Sequence, residues 1–446
     1  MKTLVKYPTR PIEVWGKAKE LRRKHFRRTW EAKSRGGIVI NGIVEAFLGL
    51  FAGFGEFGNP SYGPYFTILM RNPDQLVKVL EAAEAWGLNR DICSSMRCHL
   101  GQLVSGLSTK NPKGGEVIPD FCFQFNNCHS MVKTGQIFHE EQGLPYFVLD
   151  VPWKSRDIEM EYEVAQLNEA IEWMEKTTGK KCQDELLIEA VNNEWESAAL
   201  YARICMLQKT IPAPYDMRQL WSLRLPLVTL RYEKDCVEYT RELLAETEER
   251  VREGISARGY ETGRFTQEGI PPFYHIQILR FPAEFGAIFV GGDILFASFG
   301  CWDFHEDGSW TVPQTPRERG IHIKTRDDAL WSMADLYMRH HPVSRNCCSP
   351  DRPQEYLKRA QDFHCDGVIL HLDRGCKGYQ TGMLEAKQLI QKAGIPVTTY
   401  ESSQADPRDF DHAKIYDHLE SFMESLGLSK LPPEAFGEKE KEEGVE

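Results

Sequence analysis

The sequence predicts an α/β protein built as two flavodoxin-like parallel-sheet lobes, with a helical segment between them and a helix at the N-terminus. Three observations lead there. Short apolar strands alternate with amphipathic helices near both ends of the chain, and few residues connect them. A long stretch in the middle, Ile158 to Arg252, carries helical periodicity without strand signals. The 446 residues suffice for two to three domains, and 41% hydrophobic with 27% charged residues is ordinary globular composition.

Residues Ile12 to Ser34 have the pattern of a polar helix. The strand Gly37-Ile38-Val39-Ile40 follows, then a helix through Glu45 to Leu50. A second helix spans Pro73 to Ala85, with Asn72 as its cap and Pro73 where a missing N–H costs nothing. Asp91 to Gly101 marks another helix start. Pro119 to Phe125 alternates like a strand and stops at Asn126-Asn127-Cys128. A helix from Ser130 to Gln142 and a strand from Tyr146 to Asp150 complete a βαβ rhythm. In the second half, strands are expected at Ala287–Val290, Val368–Leu372 and Ile395–Tyr400. Helices are expected at Asp327–Met338, Thr381–Ala393 and Phe410–Leu426. The resulting division is 1–34 for the helical arm, 35–157 for the first lobe, 158–260 for the helical segment and 261–429 for the second lobe. An acidic tail, 430–446, is expected to be disordered.

A formal net charge of −11 argues against a nucleic-acid surface, and no basic block forms a phosphate stripe. The run Arg22-Arg23-Lys24-His25-Phe26-Arg27-Arg28 reads as a solvated helix face or a partner contact. The apolar stretch Gly37 to Phe54 is broken by Asn41, Glu45 and glycines, so it reads as strand then helix and not as a membrane span. The first residues carry no signal peptide, which makes the cytoplasm the expected location.

Twelve cysteines in such a chain direct attention to metal or redox chemistry. Ligands bind at the carboxyl ends of strands in open α/β sheets. Cys128 and Cys376 follow strands directly, and Cys93 stands at a helix start, where free backbone N–H groups favour a thiolate. Cys98 competes with Cys93, but five helical steps of ~100° set them ~140° apart. Arg97, four residues after Cys93, is placed to offset charge near it. Cys122, Cys182, Cys205, Cys236 and Cys365 read as core residues; Cys301 and the pair Cys347-Cys348 stay open. No zinc-ribbon spacing, His-Glu-x-x-His motif, phosphate-binding loop or Rossmann fingerprint is present; Thr178-Gly179-Lys180-Lys181 lacks both ends of a phosphate loop.

The contexts of the three cysteines resemble the benzoyl-CoA reductase and 2-hydroxyacyl-CoA dehydratase superfamily. The resemblance rests on Asp91-Ile92-Cys93-Ser94-Ser95-Met96-Arg97 with Leu100-Gly101, and on Pro119-Asp120-Phe121 through Cys128 to Lys133. It continues in Leu144 to Pro152 and in Asp366-Gly367-Val368-Ile369 through Arg374-Gly375-Cys376. Gly394 to Val397 and Glu401 with Asp406-Pro407-Arg408 support it. The opening Arg10 to Arg22 is similar to the larger cluster-bearing subunit of ATP-dependent benzoyl-CoA reductases.

This resemblance implies a [4Fe–4S] cluster held by Cys93, Cys128 and Cys376, with Arg97 and Lys133 around it. Three thiolates leave one iron without a protein cysteine. His129 follows Cys128 where many relatives carry Asp. The resemblance further implies a related cluster-bearing subunit, a separate ATPase that energises electrons from ferredoxin, and an aromatic acyl-CoA substrate reduced to a cyclic dienoyl-CoA. The alternatives are a 2-hydroxyacyl-CoA dehydratase subunit, an electron-relay or scaffold subunit, and a zinc-binding structural protein. Glu45, His129 and His371 lie near strand ends and are the candidate proton donors, each weighed against an ordinary structural role.

Overall fold

The computed structural model describes residues 4–42, 46–60, 66–107, 110, 116–152, 154–296, 300–306, 309–340 and 351–432. The N-terminal helix α1 (Trp15–Glu31) begins three residues later than its periodicity suggests. Its entry is anchored by Glu246, whose carboxylate accepts the backbone N–H groups of Glu13 and Val14 at 3.1 Å. The first lobe then follows in order: β1 (Ile38–Asn41), α2 (Leu48–Ala52), β2 (Phe57–Gly58), α3 (Phe66–Met70), α4 (Pro73–Trp86), α5 (Ser94–Val104), β3 (Phe121–Phe125), α6 (His129–Gln142) and β4 (Tyr146–Leu149). Asn72 caps α4 as expected, accepting the Gln75 N–H at 3.2 Å. The expected helix start at Glu45 lies outside the described residues.

The middle of the chain is helical: α7 (Asp157–Thr178), α8 (Asp184–Leu207), α9 (Met217–Leu223), α10 (Leu225–Leu230) and α11 (Lys234–Glu253). The second α/β part comprises β5 (Gly263–Glu268), β6 (Ala287–Gly291), α12 (Asp293–Phe296), the short hairpin β7 (Asp303–Phe304) and β8 (Trp310–Thr311), and α13 (Arg326–Ala334). It continues through α14 (Arg352–Asp362), β9 (Gly367–Asp373), α15 (Lys377–Gln380), α16 (Met383–Lys392), β10 (Val397–Ser402) and α17 (His412–Ser425). The expected tail lies outside the described residues from position 433 onward.

Each lobe holds one four-stranded, wholly parallel sheet, ordered β2-β1-β3-β4 and β10-β9-β5-β6. Parallel strands require crossover helices that cover both faces, so their residues are buried on both sides. All four residues of β1, all five of β3 and all six of β5 are buried accordingly. The first core packs Ile38, Ile40, Phe51, Phe123 and Phe125 against Trp195 of α8. The second packs Phe265, Ile288, Phe289 and Ile369 against Tyr201 and Ile204 of the same helix. Thus α8 is shared by both cores. The segment around α13 also folds back, placing Leu330, Met333 and Tyr337 in the first core.

Two strands of the four-stranded sheets carry no strand signal in the sequence, and neither do β7 and β8 of the hairpin. Strand β2 is only two residues long. Strand β5, Gly-Arg-Phe-Thr-Gln-Glu, hides its burial behind polar residues, two of which, Arg264 and Glu268, are held by partners from distant parts of the chain. Arg264 donates to the Phe363 and Thr210 carbonyls at 2.9 Å, and Glu268 pairs with Arg359 at 2.6 Å. No helix of the described residues is long and apolar enough to cross a membrane.

One buried carboxyl lacks such compensation. Both carboxyl oxygens of Glu163, on α7, are buried without a hydrogen-bond partner among the described residues. Burial, helped by the charge of Asp150, pushes its pKa up from 4.5 to about 8. The native state therefore binds a proton that the unfolded chain releases, and stability falls as pH rises from 4.5 through about 8. Glu163→Gln is expected to exceed the parent by a little under 1 kcal/mol at pH 5 and by about 3 kcal/mol at pH 7. Denaturant unfolding at the two pH values checks this; an equal difference at both would contradict it.

Candidate functional site

Cys93, Cys128 and Cys376 each occupy the residue immediately before a helix, α5, α6 and α15 respectively. Cys128 follows β3 and Cys376 follows β9, so both sit at the carboxyl ends of inner strands, one from each sheet. Strand order explains this placement: a parallel strand must turn over its carboxyl end into the crossover helix, which exposes the first backbone N–H groups of that helix. The N–H groups of Ser95 and Met96 face the Cys93 thiol, and that of Tyr379 faces Cys376.

The two lobes meet here through close backbone contact. Gly375 has a φ of +83°, and a Cβ there would stand 2.6 Å from the Ile92 carbonyl oxygen. Only glycine permits both the conformation and the approach. The loop carrying Cys376 thereby lies directly on the loop carrying Cys93. The loop after β10 closes the arrangement. The Gln404 N–H donates to Asp373 at 3.1 Å, the Gln404 side-chain amide reaches 3.8 Å from the Cys93 sulfur, and the Ala405 N–H donates to the Ser94 hydroxyl at 3.1 Å.

The three thiols share one electrostatic environment. Burial pushes the Cys93 thiol up to about 12, with the charges of Asp373 and Cys128 adding to the effect. Burial likewise raises Cys376 well above its ordinary value, followed by Asp373, Cys93 and Cys128. Asp373 is itself buried, raised by desolvation, and its Oδ2 has no hydrogen-bond partner among the described residues. Such thiols ionise together only if a cation compensates them. Among the described residues, no three His, Cys, Asp or Glu side chains are grouped to hold a single metal ion. A multi-iron cluster makes a different demand, since its thiolates ligate separate irons. The donor chemistry fits such a group.

The other expected residues fare differently. Arg97 is fully buried, but its guanidinium is taken up by Asp406 at 2.9 Å and Glu84 at 2.7 Å. Arg408 joins the same two carboxylates. Arg97 is thus a brace between α5, α4 and the loop after β10. Lys133 is exposed and donates to Gln136 at 3.0 Å on its own helix. His371 corrects an expectation. It is buried and stacked on Tyr400, one ring nitrogen is 2.7 Å from the Ser402 hydroxyl, and the other meets the Ile270 carbonyl. Desolvation pushes it down to about 4. A neutral ring with both nitrogens engaged is a strand brace and leaves nothing to offer a ligand. His129 is exposed at the first position of α6. Glu45 and the pair Cys347-Cys348 lie outside the described residues. Cys98 packs with Leu76, Leu80 and Ala405, away from the Met96 and Leu100 cluster that Cys93 borders. Sequence reasoning misses Gln404 and Asp373. Their one signal is position: Asp373 ends a strand and Gln404 follows one.

The family described as 2-hydroxyglutaryl-CoA dehydratase, D-component, matches residues 73–426. The (R)-phenyllactyl-CoA dehydratase alpha subunit of Clostridium sporogenes is 25% identical over 359 residues, covering 78% of this chain and 80% of that protein. The alpha subunit of (R)-2-hydroxyglutaryl-CoA dehydratase from Acidaminococcus fermentans is 24% identical over 317 residues, covering 69% and 61%. A benzoyl-CoA reductase subunit from Thauera aromatica is 24% identical over 359 residues, covering 77% and 78%.

The glycine contact between the lobes yields a controlled comparison. Gly394 has a similar φ of +79° but open space around it. Gly394→Ala is expected to cost about 1–2 kcal/mol for the backbone conformation alone. Gly375→Ala should cost that and a further 1–3 kcal/mol or so for the collision with Ile92. Denaturant midpoints compare the two, and equal losses would mean that the loops do not bear on each other.

Proposed function

This chain belongs to the 2-hydroxyglutaryl-CoA dehydratase D-component family, and from that premise we propose that it is the cluster-bearing subunit of a 2-hydroxyacyl-CoA dehydratase. The observation that supports the reading is that Cys93, Cys128 and Cys376 each stand immediately before a helix, with the Cys376 loop resting on the Cys93 loop. These residues would hold the cluster. When bound, such a cluster supplies single electrons at low potential.

The protein's own groups do the rest. Helix-start N–H groups facing Cys93 and Cys376 offset negative charge on their sulfurs. Gln404 adds a side-chain amide beside Cys93. The three cysteines are half-buried, and desolvation raises the Cys93 and Cys376 thiols. Among the three sequence candidates for moving a proton, His129 is the exposed one of the two described, beside Cys128. Relatives named as alpha subunits support a second, related subunit. An external ATPase and reduced ferredoxin complete the reading, since this chain has no phosphate loop.

Reduction of an aromatic acyl-CoA, the expectation drawn from the opening segment, becomes the second reading. The segment Arg10 to Arg22 and the likeness to a benzoyl-CoA reductase favour it. The family description and the dehydratase relatives weigh the other way.

The ligand assignment is tested by anaerobic purification of single Cys→Ser variants with iron and sulfide analysis. Cys93, Cys128 and Cys376 substitutions should each lose most of the iron, while Cys98→Ser retains it. Full occupancy in all three would defeat the assignment.

The reaction is tested by incubating the complex with its partner subunits, a reduced donor and MgATP. A 2-hydroxyacyl-CoA should lose water while consuming only catalytic amounts of donor. If benzoyl-CoA instead gains two hydrogens at stoichiometric cost in donor, the chain is part of a reductase.

A further inference from the structure

A cavity of about 260 Å³ lies between α1, α3, α9, α10 and the turn of helix from Phe273. The spacing on α1 explains one wall: Trp15, Lys19, Arg22 and Phe26 recur every three to four residues and share a face. Arg22 belongs to the basic run read from the sequence as a solvated face, yet it lines this cavity. Lys19, Arg22, Arg71, Arg218 and Arg224 all line it, and no acidic residue does so among the described residues. In a chain with a net charge of −11, five cations around one cavity call for an anionic occupant.

The cations strain against one another. Arg22 is lowered from its ordinary value by burial and then by Arg71 and Arg23. Arg218 is lowered to about 10 by burial and then by Arg280, with Asp216 opposing. Asp216 is already engaged, by the Gln219 N–H at 2.6 Å and by Arg258 at 3.1 Å. The rest of the lining is aromatic and aliphatic. The Arg224 guanidinium sits 3.7 Å over the Trp221 ring, and Phe273 lies against Trp221 and Phe66 with ring centres 5.6 Å apart in each case. Guanidinium forks suit phosphate oxygens, and flat aromatic walls suit a flat base. A volume just below the roughly 300–1,000 Å³ of complete ligand pockets suits one portion of a larger molecule.

We propose that this cavity binds the phosphorylated adenosine portion of a ligand, the base among Phe66, Trp221 and Phe273 and the phosphates on Arg22, Arg71 and Arg218. The anionic and aromatic character follows from the lining alone. The choice of adenosine rests on the function proposed above, because coenzyme A and ATP both carry it. Two contact steps link the cavity wall to Cys93. The Phe273 N–H donates to the Gln404 carbonyl at 2.8 Å, and Gln404 reaches the Cys93 sulfur through its side chain. Phe66 stacks on His99 of the helix that Cys93 begins.

Titration calorimetry on the full chain, with 3′-phosphoadenosine 5′-diphosphate, coenzyme A, ATP and adenosine, tests this. The three phosphorylated ligands should bind at least tenfold more tightly than adenosine, and more weakly as salt rises. Coenzyme A ahead of ATP identifies the handle of an acyl substrate; the reverse order identifies a nucleotide site. Arg71→Ala, at an exposed position, and Arg22→Gln should each weaken binding about tenfold with thermal unfolding unchanged. Absence of binding at millimolar ligand, or binding indifferent to both substitutions, would overturn the proposal. Iron analysis on the same samples separates the two readings. A chain that holds iron but binds no phosphorylated ligand defeats only this inference, and a chain that binds without holding iron defeats only the cluster assignment.

Discussion

Arg97 and Asp406, both fully buried and 2.9 Å apart, tie the first lobe to the second. Glu84 and Arg408 extend the pair into a four-membered network that joins α4 and α5 to the loop after β10. A buried ion pair adds little net stability over a well-packed apolar contact, yet removing one partner costs about 3–5 kcal/mol. Its consequence is therefore geometric: the lobes have one satisfactory orientation, the one in which every charge in the network is matched. Arg90 and Arg374 repeat the device nearer the surface by sharing Asp409, at 2.9 and 3.5 Å. With the lobes held this way, the Cys376 loop rests on the Cys93 loop at the candidate site.

The chemistry of that site follows from burial. A thiol removed from water stays protonated, and three such thiols near one another resist ionisation further. The fold supplies partial compensation through helix-start N–H groups, enough to orient the sulfurs but not to ionise them. The shared helix α8 stiffens the scaffold through both cores, against which Cys128 and Cys376 pack, and Glu246 clamps the arm before α1.

The legible parts of the fold are those whose burial shows in residue type. β1, β3, β9 and β10 are apolar or alternating, and their helices carry clear apolar faces, so their order and type can be read directly. β5 cannot, because Arg264 and Glu268 are buried there through partners 90 to 100 residues away along the chain, Phe363 and Arg359. For the same reason α13 gives no hint in the sequence that it packs with the first core and not with the strands around it.

At the site, the sequence by itself determined that Cys128 and Cys376 follow strands and that Cys93 stands at a helix start, because strand or helix signals adjoin each of them; the short helix after Cys376 came only with the structure. It also separated Cys93 from Cys98, since helical periodicity assigns them to different faces. Only the tertiary structure decided that the Cys376 loop rests on the Cys93 loop, because that depends on a glycine whose missing Cβ matters only once Ile92 is opposite it. It alone decided that Arg97 braces and His371 stays neutral, because a charge or a ring declares its role through partners such as Asp406, Glu84, Ile270 and Ser402 that sequence distance conceals.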